Sequence, residues 1–490
     1  MPALISKALA KIKTEVLVVP VCKDSDMHEH SGISSIINRI KGLKEFTGER
    51  DEELILYKPA EVDATRVMLM GLGAPDRINQ ETLRVLAGRA VNKCIATSLS
   101  EITFLVPVNK KLTIGAASVL EGLMEGAYLA NHRFYAYKNI KKQRPLQKIR
   151  FSVAPGAVKK FSRLAARVET VCKSTILARN WVNTPSNDKK PAQFARAVVG
   201  LAKKENLKTR VLGLKELRQK GFGAMLAVAA GSRSEPRLVV LDYNPKNATD
   251  TITLVGKGVT FDSGGLNLKP SKTLHRMKAD MAGAAAVAAT LVSVSKLRPK
   301  VRVVGIMPLV ENMLSATATR PGDIIKSYAD KTVEIGNTDA EGRLILIDAI
   351  AYAVKTYKPQ ILIDMATLTG ACVTALGEKI AGLFTFDDRL AQKIMQSGEK
   401  TRERCWRMPL PEDYKDLLKS DLADINNMPS TRAGAAITAA LFLSEFTGNT
   451  RWAHIDIAGP ANSKNDHAYC PSGATGFGVR LLCDFLMAEG

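Results

Sequence analysis

Asn337-Thr338-Asp339-Ala340-Glu341-Gly342-Arg343-Leu344 sets two carboxylates, a guanidinium and a glycine between two patterned segments, Thr332 to Ile335 before and Gly342 to Tyr357 after. The first is short and reads as a strand; the second is long enough for several helical turns. Residues two apart do not share a helix face, so Asp339 and Glu341 belong to an extended turn leading into the helix. Strand, charged turn and helix form the repeating unit of an α/β fold, whose ligand sites lie beyond the carboxyl ends of strands.

The same order appears upstream. Val255-Gly256-Lys257-Gly258-Val259-Thr260-Phe261-Asp262-Ser263-Gly264-Gly265 follows a strand, continues through Leu268-Lys269-Pro270 and reaches Met277-Lys278-Ala279-Asp280-Met281. Asp262, Asp280, Asp339 and Glu341 would bring four negative charges into one cleft. Carboxylates that close raise one another's pKa unless cations neutralise them, and two divalent ions would balance the charge. A carboxylate-rich set suits Mg, Mn or Zn. Taken singly, each piece has a plainer reading: Asp339 to Arg343 as an exposed turn and helix cap, Lys257 as a solvated charge. Gly256-Lys257-Gly258 is not a phosphate loop, and Gly71-Leu72-Gly73 lacks the third glycine of a dinucleotide fingerprint and reads as a turn. No His stands in an H-E-x-x-H, and His28-Glu29-His30 reads as a solvated polar loop. Together the residues point to a metal-assisted hydrolase.

Further out, strands are expected at Val16 to Val21, Val67 to Met70 and Ile102 to Val108, with helices at Leu83 to Cys94 and Ala116 to Ala130. A helix from Phe161 to Val182 stops at Asn183-Thr184-Pro185, where proline forbids continuation. Beyond it, strands are expected at Arg237 to Asp242, Thr251 to Gly256, Val301 to Met307, Gln360 to Asp364 and Trp452 to Ile457. Helices are expected at Met281 to Lys296 and Ile437 to Phe446. The chain, at 490 residues, exceeds one ordinary core. The expected fold class is α/β in two domains. Residues 1–150 form a smaller N-terminal α/β domain with a variable, oligomer-forming or regulatory role. Residues 151–170 are a basic linker or the start of a connecting helix, and 171–490 a larger catalytic domain whose central mixed sheet carries a two-metal site.

With 46% apolar and 24% charged residues the chain is not of the disordered class. The longest uncharged stretch, Met281 to Ser295, is short for a membrane span, and Met1 to Pro20 holds no export signal. No membrane partner and a cytoplasmic location are expected. The seven cysteines form no C-x-x-C and read as buried free thiols. The net charge is +22, and no acid occurs between Glu125 and Glu169, where Arg133, Lys138, Lys141, Lys142, Arg144, Lys148, Arg150, Lys159, Lys160, Arg163 and Arg167 fall. An additional DNA-binding role through this basic surface is therefore the alternative function, although no recognisable binding motif is interleaved with the charges.

The motifs resemble those of the leucine aminopeptidase (cytosol aminopeptidase) family. Asn337 to Leu344 agrees with its characteristic stretch at every position. Supporting matches are Asn183-Thr184-Pro185-Ser186-Asn187, Ala366-Thr367-Leu368-Thr369-Gly370-Ala371-Cys372, Trp406-Arg407-Met408-Pro409-Leu410, Trp452-Ala453-His454 and Ala474-Thr475-Gly476. The resemblance implies an intracellular aminopeptidase with two divalent ions per subunit (Mn or Zn), acting on peptides with a free N-terminus and preferring Leu and other apolar first residues. Lys257, Asp262, Asp280, Asp339 and Glu341 resemble the metal ligands, and Lys269 and Arg343 the catalytic residues, with a bicarbonate held at Arg343. Met277, Leu368 and Gly370 resemble the substrate-binding residues. A homohexamer is implied in the same way.

Overall fold

The computed structural model describes residues 3–6, 11–24, 27–107, 112–139, 144–248, 250–431 and 433–489. Lys141 and Lys142 of the acid-free stretch lie outside the described residues. The chain divides into two compact units, Met1–Lys173 with Asn465–Ser472, and Ser174–Lys464 with Gly473–Gly490.

The first unit runs β1 (Ala3–Ile5), β2 (Leu17–Cys22), α1 (Ser31–Gly42), β3 (Glu53–Tyr57), β4 (Arg66–Gly73), α2 (Gln80–Ala96), β5 (Glu101–Leu105), α3 (Ala116–Ala130), β6 (Lys148–Ser152) and α4 (Ala157–Asn183). Residues 151–170 thus hold the end of β6 and the first half of α4, and the chain passes from one unit to the other within that helix. The sheet order is β1-β6-β5-β2-β4-β3, parallel except for the edge strand β3. Pro20 sits in the central strand β2 without loss, because pairing with β5 ends at Val18 and leaves no neighbour there for the missing N–H. Its carbonyl lies 2.7 Å from His28 Nε2. His28 is therefore a buried, hydrogen-bonded residue and not part of a solvated loop. Gly71-Leu72-Gly73 ends strand β4 and forms no turn: the Gly71 N–H donates to Glu52 O and the Gly73 N–H to Gly48 O, both at 2.9 Å.

The second unit continues with α5 (Pro191–Lys204), β7 (Lys208–Leu212), α6 (Leu214–Lys220), α7 (Gly223–Ala229), β8 (Arg237–Tyr243), β9 (Thr251–Gly256), β10 (Gly258–Asp262), α8 (Ser271–Leu274), α9 (Ala282–Leu297) and β11 (Arg302–Asn312). There follow β12 (Ile324–Lys326), β13 (Thr332–Glu334), α10 (Glu341–Tyr357), β14 (Ile361–Ala366), α11 (Gly370–Leu376), β15 (Ala381–Phe384), α12 (Asp388–Thr401), β16 (Cys405–Arg407), β17 (Ile425–Asn426), α13 (Ala435–Ser444), β18 (Arg451–Asp456) and α14 (Val479–Glu489). The main sheet is ordered β16-β15-β18-β14-β9-β11-β8-β7, with β10 beside β11. Strands β18, β14, β9, β11 and β10 are mutually parallel; β8 runs antiparallel to β11 and β7, and β15 antiparallel to β18 but parallel to β16, which makes the sheet mixed.

Buried on both faces, the parallel strands are largely apolar, as in β11, which carries no polar side chain over residues 303–310. Helix α9 is apolar all round. By length and composition Met277–Leu297 could cross a membrane, but 83% of its most apolar 18 residues are buried within the protein, and the helix packs against β9, β11 and β14. It is a core helix. All seven cysteines are free and buried.

Candidate metal centre and active site

The parallel strands converge at their carboxyl ends, and each delivers a polar side chain there. Lys257 follows β9, Asp262 ends β10, Asn312 ends β11, Thr367 follows β14 and Asp456 ends β18. Glu341 opens α10, and Asp280 immediately precedes the entry to α9. Carboxylate oxygens of Asp262, Asp280 and Glu341, all buried, lie within 4.8 Å of one another. Two ammonium groups stand among them. Lys257 Nζ is 2.8 Å from Asp280 Oδ1 and from Glu341 Oε1, and donates to Thr367 O at 2.9 Å. Lys269 Nζ is 2.8 Å from Asp262 Oδ2 and 2.6 Å from Asp339 Oδ1. Asp339 thus joins the group through Lys269 and lies outside the three-carboxylate cluster.

Gly342 is required by this packing, since a Cβ there would fall 2.6 Å from Lys257 Cε. The glycine after Glu341 therefore serves a neighbour's side chain, independently of any conformational freedom.

The electrostatics ask for more positive charge. Burial, reinforced by the Glu341 charge, pushes Asp262 up to about 6 and Asp280 well above the usual carboxylate range. Burial raises Asp339 as well, against the pull of Lys269. Burial acts the same way on Glu341, but Lys257 and Lys269 outweigh it and hold this carboxyl below its ordinary value. Burial alone would lower both lysines; the surrounding carboxylates overcome it and hold them above the lysine range. Asp280 Oδ2 is buried without a hydrogen-bond partner. An orphaned carboxylate oxygen beside two more buried carboxylates, in excess over the local cations, fits a divalent-cation site.

Neighbouring side chains fix these groups. Asp262 Oδ1 accepts from the Gly264 N–H and from Asn312 Nδ2, each at 2.9 Å; Asn312 Nδ2 also reaches Thr338 O at 3.0 Å. Thr338 and Asn267 exchange bonds that hold the loop carrying Lys269: the Asn267 N–H donates to Thr338 Oγ1 and the Thr338 N–H to Asn267 Oδ1. Thr367 Oγ1 donates to Asp280 Oδ1 at 2.7 Å. Asp456 takes the Leu368 N–H and the Thr369 hydroxyl, which sets the segment holding Leu368 and Gly370. Leu368 and Met277 are half-buried, and Gly370 is exposed at the start of α11. Asn267, Asn312, Asn427 and Asp456 were not expected from the sequence; none carries a chemical signature apart from its partner.

Arg343 stands apart from the carboxylates. It is buried, donates from Nη1 to Asn427 O at 2.8 Å, and its Nε has no hydrogen-bond partner. Burial lowers it from the usual guanidinium range to about 10. Among the described residues no carboxylate lies within ion-pair distance of it, so its charge is available to an anion.

The acid-free basic stretch is partly neutralised from elsewhere in its unit. Arg150 lies 2.6 Å and Lys148 3.9 Å from Glu101, and Arg167 lies 2.5 Å from Glu121. Absence of acids along the chain is thus not absence of acids in space.

Comparison with known proteins agrees with this geometry. The model of the cytosol aminopeptidase family catalytic domain matches residues 176–483, and that of the family's N-terminal domain residues 18–141. A probable cytosol aminopeptidase of Chlorobium limicola is 39% identical, covering 97% of each chain; one of Roseiflexus castenholzii is 41% identical over 94% of each. A solved structure described as bottromycin maturation enzyme BotP in complex with Mn superposes with a TM-score of 0.87 at 34% identity, covering 97% of this chain and 99% of that one. With buried carboxylates and lysines at the strand ends and two family domains spanning most of its length, the chain belongs to the cytosol aminopeptidase family and is a metal-dependent aminopeptidase.

Proposed function

We propose that the protein releases unsubstituted N-terminal amino acids, with a preference for Leu and other apolar residues, from peptides in intracellular protein turnover. The observation that carries this reading is the buried cluster of Asp262, Asp280 and Glu341 with Lys257 and Lys269 among its oxygens. Lys257, Asp262, Asp280, Asp339 and Glu341 would hold two divalent ions, Mn or Zn, whose chemistry is to polarise the scissile carbonyl and ease deprotonation of a water.

The remaining roles fall to the chain itself. Asp280 Oδ2, buried and unpartnered, accepts the free amine of the substrate, and an N-acylated peptide cannot supply that donor. Lys269 is only partly buried and brings a positive charge beside Asp262 and Asp339, where it stabilises oxyanion charge that develops as the carbonyl is attacked. Arg343 would hold a small anion, bicarbonate, whose chemistry is to carry a proton toward the leaving amine. Its guanidinium is buried, keeps a free Nε–H and faces no carboxylate at ion-pair distance. Met277 and Leu368 line the side-chain pocket, where an unbranched thioether adapts to several apolar residues, and Gly370 leaves room at its edge. A homohexamer in the cytoplasm completes the reading and rests on the family resemblance alone.

The test pairs metal analysis of the purified protein with a panel of aminoacyl amides and their N-acetylated forms. Two metals per chain, fastest release from the leucine amide and no release from acetylated substrates are expected. Appreciable hydrolysis of acetylated peptides would refute the exopeptidase reading, and a light-scattering mass other than that of six chains would refute the hexamer.

A further inference from the structure

A cleft of about 450 Å³ opens in the second unit, within the size range of small-ligand sites. Arg218 and Lys220 of α6, Lys326 of β12 and Lys355 of α10 converge on it, with Asp330 as its one carboxylate. Asp330 is 3.0 Å from Lys326 and is used there. Among the described residues Arg218, Lys220 and Lys355 have no ion-pair partner, so four cations against one carboxylate leave three positive charges facing one concavity. The single carboxylate of the cleft does not balance its four cations, and burial does not force them together, because all four side chains are exposed.

The walls are fixed. The Lys355 ammonium stands 5.5 Å from the centroid of the half-buried Tyr328 ring. Buried Asp348, in the middle of α10, takes the Tyr328 N–H with one oxygen and the Met225 N–H with the other, both at 2.8 Å. Gly223 adds no side chain to the cleft and tolerates none: a Cβ there would fall 1.9 Å from Lys326 O. Lys355 lies fourteen residues along α10 from Glu341, a rise of about 21 Å at 1.5 Å per residue, so a ligand here is remote from the metal centre.

We propose that this cleft is a binding site for a small phosphorylated molecule carrying a di- or triphosphate group. A single phosphate would leave charge unmatched, whereas three or four negative charges on a compact group complement the three unpaired cations. The site is separate from peptide hydrolysis and does not rest on the assignment of the metal ligands.

Calorimetric titration of the full chain with pyrophosphate, with a nucleoside triphosphate and with a short DNA duplex tests it, comparing wild type with Lys220→Glu/Lys355→Glu. Both cations are unpaired, so the double variant breaks no internal ion pair. Both proteins carry the same metal centre, so any chelation by phosphate cancels between them. Saturable binding of pyrophosphate or the triphosphate is expected, weakened about tenfold or more in the variant, with release from the leucine amide unchanged. Equal binding by the two proteins, or no binding at millimolar concentration, would overturn the proposal. So would capture of the duplex alone, which would make the cleft part of a nucleic-acid surface.

Discussion

Asn427 offers the sharpest test of how the site is held. Its side chain is fully buried; Oδ1 accepts from the Gly336 N–H at 2.8 Å and the Asn337 N–H at 3.2 Å, while Nδ2 donates to Asn337 O at 2.9 Å and Ala340 O at 3.4 Å. Asn427→Ala leaves two good hydrogen bonds unmade, since the two longer ones contribute little. An orphaned buried group costs about 1–3 kcal/mol, but Gly336 is exposed and water can serve its N–H, so the loss should be about 2 kcal/mol. The loop from Gly336 to Ala340 carries Asp339, and loosening it should also weaken metal binding about 10–100-fold. Denaturant unfolding of the metal-free protein reads the first quantity and calorimetric metal titration the second. Asn427→Asp is the control: it keeps the shape but turns an oxygen toward the two carbonyls, and it should be at least as damaging as Ala. If both variants match wild type in stability and metal affinity, Asn427 does not position this loop.

Glu341→Ala should stay folded yet lose metal and activity together; near-normal turnover with a full metal complement would remove Glu341 from the site. Lys269→Ala and Arg343→Ala should retain metal while the rate falls about 10²–10³-fold, since each acts on transition-state charge; metal loss in either would make it a ligand. Asp348 provides a pH test remote from the metals. Burial pushes it up to about 7 from 3.8 against three backbone N–H donors. The folded state therefore binds this proton more tightly. Its stabilisation is complete below pH 3.8 and declines as pH rises to about 7, by about 4 kcal/mol. Asp348→Asn should flatten this part of the wild-type stability profile, and parallel profiles for the two proteins would contradict it.

The fold was readable where a segment's pattern is its own. A strand buried on both faces, such as β11, holds an apolar run over residues 303–310 that needs no context. Helix α4 announces its end with Asn183-Thr184-Pro185, and α10 its start with the charged turn before it. Elements that depend on partners were missed. The edge strand β3, Glu-Leu-Ile-Leu-Tyr, is stabilised by pairing with β4, and α1 by burial of Ile33, Ile36, Ile37 and Ile40 against the first unit's core. His28 was misjudged for the same reason: whether a polar residue is solvated depends on the carbonyl of Pro20, and adjacency in sequence does not reveal that contact.

The site divides along the same line. Groups that bear the chemistry are titratable and cluster in two short stretches, so residue type and order expose them. Groups that orient the chemistry are amides, hydroxyls and one buried carboxylate, and they act across long separations. Thr367 meets Asp280 across 87 residues, Thr369 meets Asp456 across 87, and Asn427 meets Asn337 across 90. No local rule links such pairs, because the distance between them is set by the parallel sheet. Thr367 meets Asp280, Asn312 meets Asp262 and Asp456 holds the segment after β14 because β14, β18, β10 and β11 end on the same side. The acid-free stretch fails in reverse. Its charges are obvious in the sequence, but Glu101 and Glu121, from other elements, neutralise several of them. The basic cleft, by contrast, is assembled from α6, β12 and α10, and its surplus charge appears only when the fold brings them together. Net charge therefore locates no binding surface by itself; what locates one is a set of cations for which folding supplies no carboxylate.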